Sequence, residues 1–182
     1  MKLFPDARYT RTAILLHWLL ALMISGAFAV GLYLTALPFS PRKLEIYTWH
    51  KWAGITILAL SALRLVWRLL HRPPRDLPMP GWQQTAAHAA HLALYALFFA
   101  VPLVGWAYSS AAGRPVVLYG VLPLPDFVRV DRDLALALRA WHEGLNWALA
   151  AVVAVHVAGS LKHQFIDRDG LLSRMRLGGS RL

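Results

Sequence analysis

Four histidines stand at positions where histidine is costly. His142 and His156 lie in "RAWHEGLNWALAAVVAVHVAGSLKH", an apolar helix-like stretch running from Arg139 to His163. Fourteen residues at 3.6 per turn come back to nearly the same helix face, displaced by about 21 Å along the axis. One helix therefore presents two imidazoles at two depths. His17, in "ILLHWLLALMI", falls level with His156, and His50, in "WHKWAGITILAL", falls level with His142. Two pairs close, His17 with His156 and His50 with His142. A neutral imidazole is a good ligand for a transition metal. Zinc asks for three or four ligands, often including a thiolate or carboxylate. The chain has no Cys, and Glu143, at the mouth of the fourth apolar segment, is the one carboxylate in any of them. Iron in a porphyrin needs two axial ligands and an apolar slot, so the pattern predicts two bis-histidine b-type haems, stacked at two levels. The lack of Cys excludes covalent c-type attachment. Any one of these histidines alone reads more simply as a satisfied core or interfacial residue; the case rests on two depth-matched pairs.

Such histidines need a scaffold that holds them in an apolar interior. The 182 residues are 58% apolar and include eight Trp, too greasy for an ordinary soluble domain of this size. Spanning the hydrocarbon takes roughly 20 apolar residues as a helix. Four segments qualify, at about 13–34, 48–69, 86–108 and 140–161. Helices satisfy their own backbone hydrogen bonds in lipid. The expected fold is all-α, an integral membrane four-helix bundle, with residues 1–182 forming a single domain. The first apolar run is too long for a signal-peptide core and reads as a retained span. "VDRDLALALRAWHEG" looks helical, with Asp131 or Asp133 as N-cap, so the fourth helix is expected to start outside the membrane. "RKLEIYTWH" is expected to extend the second helix outward in the same way.

The net charge of +10 raises nucleic acid as a partner, but the basic residues flank apolar spans, where they set topology. Twelve Lys and Arg lie on the side of the two termini and the second loop (Lys2 and Arg181 among them), against seven on the other side. The positive-inside rule then puts both termini in the cytoplasm of a bacterial inner membrane, and the long third loop in the periplasm.

Several other residues could serve the site. Arg64 and Arg68, one turn apart, are candidates for haem propionates, because arginine binds carboxylates bidentately; topological anchoring explains them equally well. His163 is a candidate hydrogen-bond or proton donor to a quinone headgroup. His88 and His91 share a helix face and could tune a haem or line a pocket, or simply hydrogen-bond at the interface. His71 reads as a loop residue. Gly54 and Gly159, close to His50 and His156, and more remotely Gly26 and Gly105, would let a flat ring approach the backbone, though glycine also serves plain helix contacts.

"ILLHWLLALMI", "WHKWAGITILALSALRLVWRL", "AHAAHLALYALFFAVPLVGW" and "AWHEGLNWALAAVVAVHVAGSLKHQF" closely resemble the prokaryotic cytochrome b561 family over nearly the whole chain. The resemblance implies a four-helix bundle with two haem b groups, with His17, His50, His142 and His156 at the positions of the axial ligands. It implies electron exchange with membrane quinone. One branch of the family is similar to superoxide oxidase, which oxidises superoxide and reduces ubiquinone. On that reading Lys51 and Arg139 would help steer the anion from the periplasm, although the acidic residues of that side leave it a net charge of only +2. The alternative is a quinone-linked cytochrome serving a soluble periplasmic redox protein. A third class, a non-redox membrane protein that binds zinc or carries haem, stays open at this point.

Overall fold

The computed structural model describes residues 8–177; Lys2 and Arg181 of the charge count lie outside the described residues. Four helices cover most of this range: α1 (Arg11–Ala36), α2 (Pro41–Leu70), α3 (Gly81–Ala111) and α4 (Arg132–Lys162). All four are long and apolar enough to cross a membrane, and together they form a membrane four-helix bundle. Each helix is longer than its apolar core. Polar caps set three of the starts. The side chains of Thr10, Ser40 and Asp131 accept hydrogen bonds from the backbone N–H of Ala13, Lys43 and Leu134, and such a cap stabilises a helix by about 1 kcal/mol. Asp131, not Asp133, is the cap of α4, and α2 begins at Pro41, so both helices do run outward beyond their apolar stretches. The start of α3, five residues ahead of the expected one, has no side-chain cap; the Pro80 carbonyl accepts from the N–H groups of Gln83 and Gln84 instead.

α1 packs on α2, α2 on α3 and, most extensively, α3 on α4. α4 faces α1 and α2 through aromatic rings: His17 against His156, Phe28 against Trp147, and His50 against His142. The core cluster is Leu94, Phe98, Val101 and Leu149. Leu149 stands midway between His142 and His156, so this apolar plug fills the bundle between the two imidazole levels. Outward-facing apolar side chains such as Leu22, Leu69, Leu92 and Val155 remain largely exposed, as expected where lipid is the solvent.

The end that carries both termini is tied together by polar contacts. The indole N–H of Trp18 donates to the Met175 carbonyl, that of Trp67 donates to Thr10 Oγ1, and an Arg174 guanidinium N–H donates to the Arg75 carbonyl. The tail continues α4 as a π turn (His163–Asp167) and a short 3-10 helix (Leu171–Met175). At the other end, the α3–α4 loop contains a small antiparallel hairpin, β1 (Val117–Leu118) and β2 (Leu122–Pro123), which the all-helical expectation lacks.

Asp76, in the α2–α3 loop, accepts from Gln84 Nε2 at 3.1 Å and faces His88 Nε2 at 3.0 Å. The Gln84 hydrogen bond, and then the His88 contact, hold its carboxyl below the ordinary carboxylate range. A depressed carboxylate stabilises the folded state above its unfolded pKa, and that contribution is lost as pH falls through the folded value. Acidification below about pH 4 should therefore loosen this loop, and Asp76→Ala should show the loosened state already at pH 7. Amide hydrogen exchange over residues 73–84 measures both; unchanged protection in the variant would contradict the clamp.

Candidate functional site

α4 carries an imidazole at each level, and each has a partner. The ring centres of His50 and His142 lie 6.3 Å apart, with planes at 85°. Those of His17 and His156 lie 6.2 Å apart, at 67°. A metal–imidazole nitrogen bond is about 2 Å long and the ring centre lies about 1 Å behind the nitrogen, so two imidazoles on one ion put their centres about 6 Å apart. Both pairs thus have a spacing that would admit a single atom between the rings, within the range of an edge-to-face ring contact.

Second contacts fix how the rings present themselves. The Val101 carbonyl lies 3.0 Å from His142 Nδ1. A carbonyl only accepts, so Nδ1 carries the proton and Nε2 keeps its lone pair for a ligand. His17 Nδ1 and His50 Nδ1 are buried with no hydrogen-bond partner. Along α4 a polar residue follows each histidine by one turn: Asn146 donates to the His142 carbonyl and Ser160 to the His156 carbonyl.

Of the four glycines named from the sequence only Gly105 lies against a ring, and Gly31 joins it. A Cβ at Gly54, Gly159 or Gly26 would meet nothing within 4 Å. At Gly105 it would come within 2.9 Å of His142 Cε1, and at Gly31 within 3.4 Å of His50 Cε1. Gly105 thus gives His142 its berth against α3, while Gly54 borders open space. That space is a cavity of about 660 Å³ between the helices, lined by His50, His142, Gly31, Gly54, Gly105 and Trp106, among others. Its size falls within the usual range for ligand sites, roughly 300–1,000 Å³. Pro102 also lines it; lacking an N–H, it leaves the Phe98 carbonyl without its helical donor.

At the other level a third imidazole appears. The His91 ring centre lies 5.4 Å from that of His156, while His88 turns away to Asp76. Arg64 lies within electrostatic reach of His17, His91 and His156. The Arg64 and Arg68 guanidinium carbons each stand 5.8 Å from the Tyr95 ring centre, so Tyr95 holds both arginines beside this pair. His163 lies beyond it, with Nδ1 2.5 Å from Asp169 Oδ2 and 3.3 Å from Asp167 Oδ2, and Lys162 pairs with Asp167. Lys51 donates to the carbonyls of Arg114 and Pro115 at 3.2 and 3.1 Å, so its charge ties down the α3–α4 loop at the cavity rim. Arg139 borders both the large cavity and a neighbouring one of about 270 Å³, walled also by Arg114 and Arg132.

The family profile described as prokaryotic cytochrome b561 matches residues 8–178. The chain belongs to the prokaryotic cytochrome b561 family. It is similar to cytochrome b561 homolog 2 of Escherichia coli (strain K12), 34% identical over 92% of this chain and 90% of the relative. It is 30% identical to cytochrome b561 homolog 1 of the same strain, over 92% of this chain and 96% of that one. A protein of Yersinia pestis named probable superoxide oxidase CybB is 29% identical, over 92% and 95% of the two chains.

The cytochrome is thus a multi-pass bacterial membrane protein of a family that binds haem b and transfers electrons. Its interior fits that cofactor. Paired imidazoles about 6 Å apart, a ring-sized cavity beside one pair, and glycine where a Cβ would strike the His142 ring all suit a bis-histidine porphyrin. Zinc fits less well: among the described residues, the single cluster of three His or carboxylate groups close enough to share an ion is His163, Asp167 and Asp169, outside both pairs.

Gly105→Ala should displace the His142 ring, break its bond to Val101 and lower the haem content per chain. Gly144→Ala, on the same helix as His142 with nothing within 4 Å of the added methyl, should leave it unchanged. Reduced-minus-oxidised spectra with a pyridine haemochrome assay measure this; equal haem in both variants would contradict the role of Gly105.

Proposed function

We propose that this cytochrome is a superoxide:ubiquinone oxidoreductase holding two haem b groups, one between His50 and His142 and one between His17 and His156. The observation that carries the reading is the pair of imidazole clamps, 6.3 and 6.2 Å wide, at two depths of one bundle. When bound, the haems supply one-electron redox chemistry at both levels. The overall reaction balances as two superoxide anions and two protons with one ubiquinone, giving two dioxygen molecules and one ubiquinol.

The chain's own residues set access and direction. Arg114, Arg132 and Arg139 wall the small cavity beside the His50/His142 pair, and among the described residues none of the three has a carboxylate ion-pair partner. Unpaired guanidinium charge at a cavity mouth attracts a small anion and raises its on-rate. Lys51 adds charge at the rim while holding the loop that forms it. The apolar plug around Leu149 keeps water and ions from passing between the levels, so charge crosses the bundle as electrons. At the far end, Arg64 and Arg68 stand where carboxylates of the second haem could be held. His163 would give a proton to the quinone; the reading is supported by Asp169, which engages Nδ1 and leaves Nε2 for a partner. Lys and Arg placement puts this end, with both termini, in the cytoplasm of the inner membrane, and the arginine-walled cavity in the periplasm.

The name of the Yersinia relative supports the superoxide reading, while the Escherichia relatives carry the cytochrome name alone. A quinone-linked cytochrome that serves a soluble periplasmic redox protein would use the same clamps. A steady flux of superoxide supplied to the purified holoprotein with a ubiquinone analogue separates the two. Ubiquinol should form faster than without protein; superoxide decaying at its spontaneous rate, with no ubiquinol formed, would leave the second reading. Arg139→Glu should slow the reaction by about tenfold at low ionic strength, with the difference shrinking as salt is added.

A further inference from the structure

The α3–α4 loop reads in sequence as an extramembrane connection. Its contacts tell a different story. Lys51 of α2 donates to the carbonyls of Arg114 and Pro115, the Trp52 indole N–H donates to the Val117 carbonyl at 2.7 Å, and Thr56 Oγ1 meets the Tyr119 hydroxyl at 2.6 Å. Thr56 gives its own proton to the Trp52 carbonyl, so Tyr119 is the donor to Thr56. The contact points step along α2 in one direction, from Lys51 through Trp52 to Thr56, as the loop advances from Arg114 to Tyr119. Thr56 lies eight residues, about 12 Å, inside the start expected for this span at position 48. After α3 leaves the apolar layer, the chain therefore returns alongside α2, where β1 packs on that helix and the Tyr119 side chain reaches as deep as Thr56.

The hairpin's chemistry suits that place. From Val116 to Pro125 the segment "VVLYGVLPLP" carries no charge, and Arg114 and Asp126 flank it. Tyr119 and Gly120 both take positive φ, 51° and 75°, inside the tight three-residue loop that joins Leu118 to its partner Leu122. The turn closes its own polar groups: Val121 N–H donates to the Leu118 carbonyl, Gly120 N–H to Val117, and Leu124 N–H to Val116. Backbone satisfied in this way can enter the edge of the apolar layer, where an open polar strand could not. The side chains left outward are apolar, Val121 being 81% and Leu122 54% exposed. Trp52 and Tyr119, with ring centres 5.4 Å apart, form an aromatic pair of the kind that settles at the headgroup boundary.

We propose that the 117–123 hairpin is immersed in the membrane leaflet at its end of the bundle, with Val121 and Leu122 among the lipid acyl chains, continuing the lipid-facing surface of α2. The surface open to a soluble partner at this end is then confined to the α1–α2 turn, the loop stretch 124–131 and the start of α4. The proposal does not depend on which haems are bound or on the electron donor.

The chain has no Cys, so single-site labelling is clean. The holoprotein in phospholipid vesicles would carry a nitroxide at Val121→Cys, with Leu22→Cys on α1 as the lipid-facing reference and Arg129→Cys as the aqueous one. Power saturation compares relaxation by oxygen, which concentrates in lipid, with relaxation by a water-soluble nickel chelate. The ratio at position 121 should match that at 22 and exceed that at 129 several-fold. A ratio matching position 129 would overturn the proposal and mark the hairpin as an aqueous face open to a soluble partner. Leu122→Cys repeats the measurement should the first label disturb the turn.

Discussion

Two nitrogen-bearing rings facing each other across 6 Å inside an apolar bundle form an arrangement that has to be resolved chemically. Buried imidazoles lose their hydration, and ring nitrogens left without a partner in an apolar interior are costly. Rotating the rings toward backbone carbonyls would relieve this, but at the His142 level the ring is already fixed, by Val101 on one side and the backbone at Gly105 on the other. A Lewis acid between the rings would satisfy one nitrogen of each. The rest of the structure follows from providing that situation twice: a long α4 to carry two rings, α1 and α2 to supply one opposing ring each, and α3 to set the orientation of His142.

α4 acts as a ruler. Its two histidines fix the separation of the levels at about 21 Å, and Leu149 with its neighbours on α3 fills the interval. Electrons can cross such a distance through intervening groups, whereas protons and ions need a polar path that the plug of Leu94, Phe98, Val101 and Leu149 does not offer. Charged side chains accordingly collect at the two ends. Arginines wall the cavity beside His142, and a histidine held by aspartates sits beyond His156. This division would suit the proposed transfer of electrons from one surface to a quinone, with protons, at the other.

Much of this was legible in the sequence, because the decisive features are one-dimensional. A fourteen-residue spacing fixes a face and a rise, and span boundaries fix depth, so the partners of His142 and His156 followed without knowledge of packing. The start of α4 was legible because Asp131 is a cap with a local mechanism. The glycines were legible only in part: Gly105 was among those named, Gly31 was not. Whether a methyl fits at Gly105 or Gly54 depends on which ring crosses that point from another helix, and sequence does not record the crossing. The approach of His91 to His156 was hidden for the same reason, since a shared helix face with His88 did not say which of the two would turn inward. Lys51 looked free to attract an anion, yet two loop carbonyls engage it. The hairpin was hidden most deeply: its strands are two residues long, too short for alternation, and side chains of α2 hold it in place.

The most direct test is the amount of haem bound by the purified protein. With ample haem during expression, the pyridine haemochrome assay set against the protein concentration should give two haem b per chain, with the sharp reduced bands of low-spin, bis-histidine iron. A ratio of one, or a colourless preparation, would show that paired imidazoles at this spacing do not each hold a porphyrin, and the account of the bundle would fail.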